Sequence, residues 1–139
     1  MTGPGGLTLY LLKSEADFDY YDPQRIYTAE DQAFFGATIM RSLVAYSYSS
    51  DPSTSNALVP DMATDTGSAN ADVTVWTFTL RDGLTWQDGS PVTCEDVKYG
   101  VSRTFATDVI NGGPLYAYEY LDIPTADDGS SQYKGPYSK

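Results

Sequence analysis

The sequence predicts an α+β fold, a small and mainly antiparallel sheet with two helices, and three adjacent patterns carry that prediction. Trp76, Phe78 and Leu80 alternate with Thr77 and Thr79, the period-2 signature of a strand with one buried face. Asp82-Gly83 follows, a pair suited to the positive φ of a tight hairpin, so residues 73–80 are expected to pair antiparallel with 84–86. Thr93 then stands three residues before Asp96, an acidic variant of the capping box, and Val97, Val101 and Phe105 recur at helical spacing.

The remaining elements follow in chain order. Residues 7–12, Leu-Thr-Leu-Tyr-Leu-Leu, form a nearly continuous apolar run, as in a strand covered on both faces. Residues 17–27 read as a polar and aromatic loop around Pro23. Thr28 is placed to cap a helix whose apolar stripe is Ala33, Ala37, Met40 and Val44. That helix hands over to a short strand at 43–46, and the Ser, Asp and Pro cluster of 47–56 is a surface connection. A second Asp-Gly pair, Asp88-Gly89, breaks the strand at 84–86, and Pro91 keeps the following loop extended. In 116–120 tyrosines alternate with Ala117 and Glu119, a pattern that fits a strand or a helix and leaves both open. Residues 65–72 and 125–131 are polar enough for mobile loops. No internal repeat is visible.

Composition excludes several functions. A net charge of −11, from 19 acidic and 8 basic residues, repels nucleic acid and anionic lipid, whose affinity rests on the opposite sign. Twelve Tyr, five Phe and two Trp within a 41% hydrophobic chain exclude a wholly disordered one. No apolar run reaches the roughly 20 residues of a membrane span, and no charged-then-apolar signal segment opens the chain. With no histidine and a single cysteine, neither a Ser-His-Asp nor a Cys-His arrangement is available, so catalysis is not expected. Asp127-Asp128-Gly129-Ser130 lacks the alternating ligands and distal glutamate of a calcium loop and reads as a solvated acidic turn. No cofactor or metal site is expected.

Trp76 shares a face with Phe78 and Leu80 and is expected in the core, whereas Trp86, at a strand end beside two turns, fits core or surface. Cys94 lies in the first turn of the predicted helix on the side of Val97 and Val101, the position of a small buried hydrophobe facing protein.

The stretch 76–103, Asp22-Pro23, the 43–44 strand start, Leu58-Val59-Pro60-Asp61-Met62-Ala63, Gly113-Pro114-Leu115-Tyr116-Ala117 and Tyr120-Leu121 together closely resemble the oligopeptide- and dipeptide-binding family of extracytoplasmic solute-binding proteins that serve ABC transporters (solute-binding protein family 5). Members are several times longer than 139 residues, so the resemblance implies an N-terminal fragment of the first lobe of a two-lobed periplasmic-binding-protein fold. On that reading 1–12 supplies a strand of a larger sheet, 28–123 a sheet-and-helix subdomain and 124–139 a mobile tail. The resemblance further implies capture of a small solute, a peptide or a similar molecule. The implied partners are the membrane permease of an ABC transporter and the remaining part of its own chain. The implied location is extracytoplasmic, as a cell-surface lipoprotein or in the periplasm, with any export signal and lipid-bearing cysteine removed. Tyr27, Thr28 and Ala29 would lie at the lip of the cleft and offer backbone hydrogen bonds, and Tyr116 would help form a side-chain pocket. An extra residue in 116–120 departs from the family's pattern, and the residues that anchor a peptide's amino terminus belong to the part not present. For Cys94 the resemblance adds a disulfide to a mate beyond Lys139. The alternative to all of this is a self-contained extracellular interaction or carbohydrate-binding domain with exposed Tyr and Trp.

Overall fold

A computed structural model describes residues 10, 12, 17–47 and 49–138. It contains two two-stranded antiparallel sheets and three α-helices, in the order α1 (Ala29–Thr38), β1 (Val44–Tyr46), β2 (Leu58–Pro60), β3 (Ser68–Ala69), β4 (Trp76–Thr77), α2 (Cys94–Ser102) and α3 (Tyr116–Tyr120). Most of the predicted strand at 7–12 lies outside the described residues; Tyr10 and Leu12, which are described, are exposed and carry no strand.

Thr28 occupies the N-cap of α1 in an extended conformation, but its side chain makes no capping bond. Glu30 and Asp31 place negative charge in the first turn, where the helix dipole favours it. The buried face carries Asp31 and Phe35, not the predicted stripe, since Ala33 and Ala37 are exposed. Ring burial outweighs alanine burial by area: Phe18 packs 5.0 Å from Phe34 and 4.9 Å from Phe35, centroid to centroid, with Tyr21 edge-on to Phe35.

The expected short strand is β1, which pairs with β2 in the register Val44↔Pro60, Ala45↔Val59, Tyr46↔Leu58. The surface connection between them is closed at Asp51, whose carboxylate accepts from the Ser53 amide at 2.9 Å. Arg41 bonds Asp61 (Nε to Oδ1, 3.0 Å), fastening the end of β2 to the chain leaving α1.

The hairpin prediction is corrected. β4 pairs upstream with β3 (Ser68↔Thr77, Ala69↔Trp76), and Ala63 bridges Leu80. The connecting turn is held by Asn70, whose side chain accepts from the Val75 amide at 2.9 Å, with Val73 at φ 63°. Residues 84–86 instead fold back on 90–92, with Trp86 N–H to Ser90 O at 2.8 Å and Val92 N–H to Leu84 O at 2.9 Å. Asp88-Gly89 makes this turn, since Gly89 adopts φ 88° and Asp88 accepts from the Ser90 amide and hydroxyl. Asp82-Gly83 does turn the chain, but the edge it would pair is already occupied: Leu80 bridges Ala63 and the Arg81 amide donates to Met62 O.

At α2 the capping box is complete, with Thr93 N–H to Asp96 Oδ2 at 2.7 Å and Asp96 N–H to Thr93 Oγ1 at 3.3 Å. The helix runs into a 3₁₀ turn, Arg103–Phe105. That tightening puts Phe105 in line with the residue three before it, so buried Ser102 shares its side while Val101, predicted in the stripe, is 45% exposed. Phe105 is 2% exposed and packs against Tyr118 (4.7 Å) and Tyr133 (5.6 Å). Segment 116–120 resolves as helix, directed inward through Tyr118.

Residues 124–138 contact themselves and the rest of the chain at several points. Thr125 bridges Ser131, Gly135 lies against Ala106, and the Tyr137 hydroxyl accepts from Arg103 Nε at 3.0 Å and pairs with the Tyr99 hydroxyl at 2.9 Å.

Candidate functional site

Residues 22–27 form a turn that every neighbour helps to fix. Asp22 O accepts from the amides of Arg25 and Ile26, and Asp22 Oδ1 accepts from the Gln24 amide at 3.0 Å. Ile26 is buried and anchors the turn. Gln24 spans to α2, donating to Gly100 O at 3.0 Å and accepting from Thr104 Oγ1 at 2.8 Å. Arg103 bonds Asp22 Oδ2 at 2.6 Å. Burial pushes the Asp22 carboxyl up, but the Arg103 and Gln24 hydrogen bonds more than offset it and hold the group below the ordinary aspartate range.

The same turn meets the chain ahead of α3. Arg25 donates to Asn111 O (3.0 Å) and Asn111 Oδ1 (3.2 Å) while its guanidinium lies 3.9 Å from the Tyr20 ring centroid. Gly113 presses on the turn so closely that a Cβ there would sit 1.6 Å from Gln24 O. Only glycine permits that approach.

These contacts bring Tyr27 beside the entrance to α3. Between them opens a hollow of about 430 Å³ lined by Tyr27, Gly112, Gly113, Pro114, Leu115, Tyr116 and Glu119. Tyr27 and Tyr116 are 64% and 57% exposed. Of the four residues expected at a ligand site, then, Tyr27 and Tyr116 are brought together. Thr28 and Ala29 do not line the hollow, and the Thr28 carbonyl is occupied by the Gln32 amide at 3.0 Å. Glu119 was missed by sequence reasoning. Once 116–120 is helical, its i+3 spacing from Tyr116 puts both on one side, but the Tyr-rich pattern left helix and strand open.

Cys94 lies elsewhere, as a free and exposed thiol at the start of α2. It does not share a buried stripe, because Val101 also faces outward. Trp76, expected in the core, is 54% exposed and stacks on Phe78 with centroids 6.4 Å apart. Trp86 is exposed too, beside a shallow hollow with Gln87, Asp88 and Ser90. Among the described residues no group of three or more His, Cys, Asp or Glu side chains is placed to hold a metal ion. The lining of the Tyr27–Tyr116 hollow comprises two tyrosines, one glutamate and the apolar and glycine residues between them.

Residues 57–133 match the family described as bacterial extracellular solute-binding proteins, family 5 Middle. The periplasmic murein peptide-binding protein MppA of Escherichia coli (strain K12) is 48% identical over 46 residues, covering 33% of this chain and 8% of that protein. The periplasmic oligopeptide-binding protein OppA of Salmonella typhimurium is 40% identical over 60 residues, covering 42% of this chain and 11% of that protein. Among solved structures, the clavulanic acid biosynthesis oligopeptide binding protein 2 superposes with a TM-score of 0.58 at 36% identity, covering 70% of this chain and 16% of that one. The chain thus spans about a tenth of the length of the curated relatives it matches.

Proposed function

The chain belongs to the bacterial extracellular solute-binding proteins of family 5, and from that premise we propose that it serves the solute-capturing component of an ABC importer, with a peptide or similar small solute as cargo. On this reading it forms part of the first lobe of a two-lobed binding protein, works outside the cytoplasm as a lipoprotein or in the periplasm, and delivers its cargo to a membrane permease without catalysing a reaction. The observation that carries the reading is the open, aromatic hollow between Tyr27 and Tyr116, most of whose wall lies within the family-matched segment 57–133. A concave, largely apolar recess with a few polar groups is what a small-ligand site requires. Its openness suits one wall of a cleft that a second lobe completes.

Exposed apolar surface supports the lobe assignment. Leu58 and Trp76 on the two small sheets, with Val73 and Val75 in the turn between β3 and β4, stand in solvent, a surface suited to burial against further parts of a lobe. The alternative of a self-contained interaction or carbohydrate-binding domain is not favoured, because the relatives are named as peptide-binding proteins.

The test is a graft. Residues 57–133 of this chain replace the matching stretch of Salmonella OppA, and tripeptide binding is measured by calorimetry. A hybrid that binds within about tenfold of the parent supports the proposal, because most interface positions tolerate change and few carry the energy. A hybrid with an unchanged circular dichroism spectrum and no peptide binding overturns it. The chain by itself is expected to bind peptides weakly, since half a cleft leaves most of the ligand in water.

A further inference from the structure

We propose that the hollow between Tyr27 and Tyr116 selects a ligand group carrying an organic cation, an ammonium or a guanidinium, held against the Glu119 carboxylate and the two phenol faces. The proposal rests on the preceding reading that this face receives a peptide-like solute, and it adds which part of the solute the hollow takes.

Three observations converge. Glu119 is the one charged side chain among the described residues lining the hollow. Among the described residues its side chain has no ion-pair partner: the ion pairs there are Arg41–Asp61, Lys98–Glu95 and Arg103–Asp22. The basic residue that reaches this end of the chain, Arg25, is engaged away from it, with its guanidinium on Asn111 and over the Tyr20 ring. Glu119 therefore lines the hollow with no cation paired to it among the described residues.

The aromatic walls point the same way. Tyr27 and Tyr116 keep more than half of their surface in solvent, and an aromatic face attracts an ammonium or guanidinium within about 6 Å of its centroid. Tyr118 takes the packing role instead, its ring against Phe105 and its hydroxyl on the Phe105 carbonyl at 3.3 Å. The turn of α3 thus divides its residues into an anchor, Tyr118, and a pair left for the hollow, Tyr116 and Glu119. A net charge of −11 adds a long-range attraction for cations. An anionic ligand group would meet one carboxylate and no donor side chain from a lysine or arginine in the lining.

The chain itself is tested by ¹⁵N NMR titration with three probes. N-acetyl-lysine N′-methylamide presents a side-chain ammonium, N-acetyl-norleucine N′-methylamide is its neutral counterpart, and trialanine presents a terminal ammonium. At least one cationic probe is expected to shift the amides of Tyr27, Gly112, Gly113, Tyr116 and Glu119 in a saturable way, with affinity about tenfold above that of the norleucine probe. Saturation by the lysine probe identifies a basic side chain as the source, and saturation by trialanine identifies the amino terminus. In Glu119→Gln the preference should collapse towards unity with the spectrum otherwise intact. Equal shifts from neutral and cationic probes, or none at these amides, overturn the proposal. The graft judges peptide binding separately, so a hybrid that binds neutral peptides alongside a flat lysine titration would sink this inference and spare the broader one.

Discussion

Residues 42–92 and the helical remainder of the chain hold themselves together in different ways. In 42–92 Ala63 is the one buried residue among those described, and order comes from turns such as those at Asp51, Asn70 and Asp88, each closed by its own side chain. The helical part buries Ile26, Phe35, Phe105 and Ala106 and joins segments far apart in sequence. The difference teaches where a substitution will be felt. Local hydrogen bonds shape the first region without giving it a core, while the second carries the apolar burial that resists unfolding.

The sharpest test compares two rings. Phe105→Ala should lower unfolding free energy by about 3–5 kcal/mol, the usual cost of emptying a buried aromatic site. Trp76→Ala, on the other side of the comparison, should cost less than about 1 kcal/mol in the same urea titration; equal losses would abolish the distinction. Next comes an identical change on each side. Gly113→Ala drives a methyl into the Gln24 carbonyl and is expected to cost about 3 kcal/mol and to displace Tyr27, whereas Gly67→Ala, at φ 90°, meets the Phe78 ring, a side chain and not a backbone carbonyl, and should cost about 1–2 kcal/mol. Displacement is read from the Tyr27 amide shift.

Acid provides a smaller effect. Asp22 has a lowered pKa in the folded state, so its contribution is fully present above the unfolded value of about 3.9 and is lost as pH falls through the lower folded value. Stability measured below about pH 4 should therefore drop, and Asp22→Asn should remove about 1 kcal/mol at pH 7 while flattening that acid limb. A variant with the wild-type acid limb would show that the Asp22–Arg103 pair is not the link. Smallest of all, Cys94→Ser should stay within about 0.5 kcal/mol of the parent, and the native thiol should react with a disulfide reagent at a rate close to that in urea; protection in the native state would contradict its exposure.

The sequence made local chemistry readable and left long-range competition unread. Thr93 and Asp96 specify their capping box within four residues, and the helix that follows needs no distant partner to be recognised. Strand pairing is different. Residues 76–80 had two possible partners, and which edge was used depended on Ala63 reaching Leu80, a contact that alternation and turn chemistry do not encode. The same limitation explains Trp76, whose apolar side of the strand has no described layer to bury it. In α1 the spacing of alanines was visible, but Phe18 arriving from the preceding loop selected the Phe34 and Phe35 side. The hollow was half legible: resemblance marked Tyr27 and Tyr116, whereas Glu119 needed the helical assignment of 116–120.

The Arg25–Asn111 clamp, which sets Tyr27 against the wall of the hollow, joins residues 86 apart in sequence. By contrast, the β3–β4 pair closes across only a few residues, with Ala69 opposite Trp76. Closing the longer span carries the greater loop entropy and is rewarded only after both ends are shaped. During folding the hairpins are therefore expected to form early and the hollow last, so a chain caught midway would show strand and turn signals before Tyr27 and Tyr116 come together.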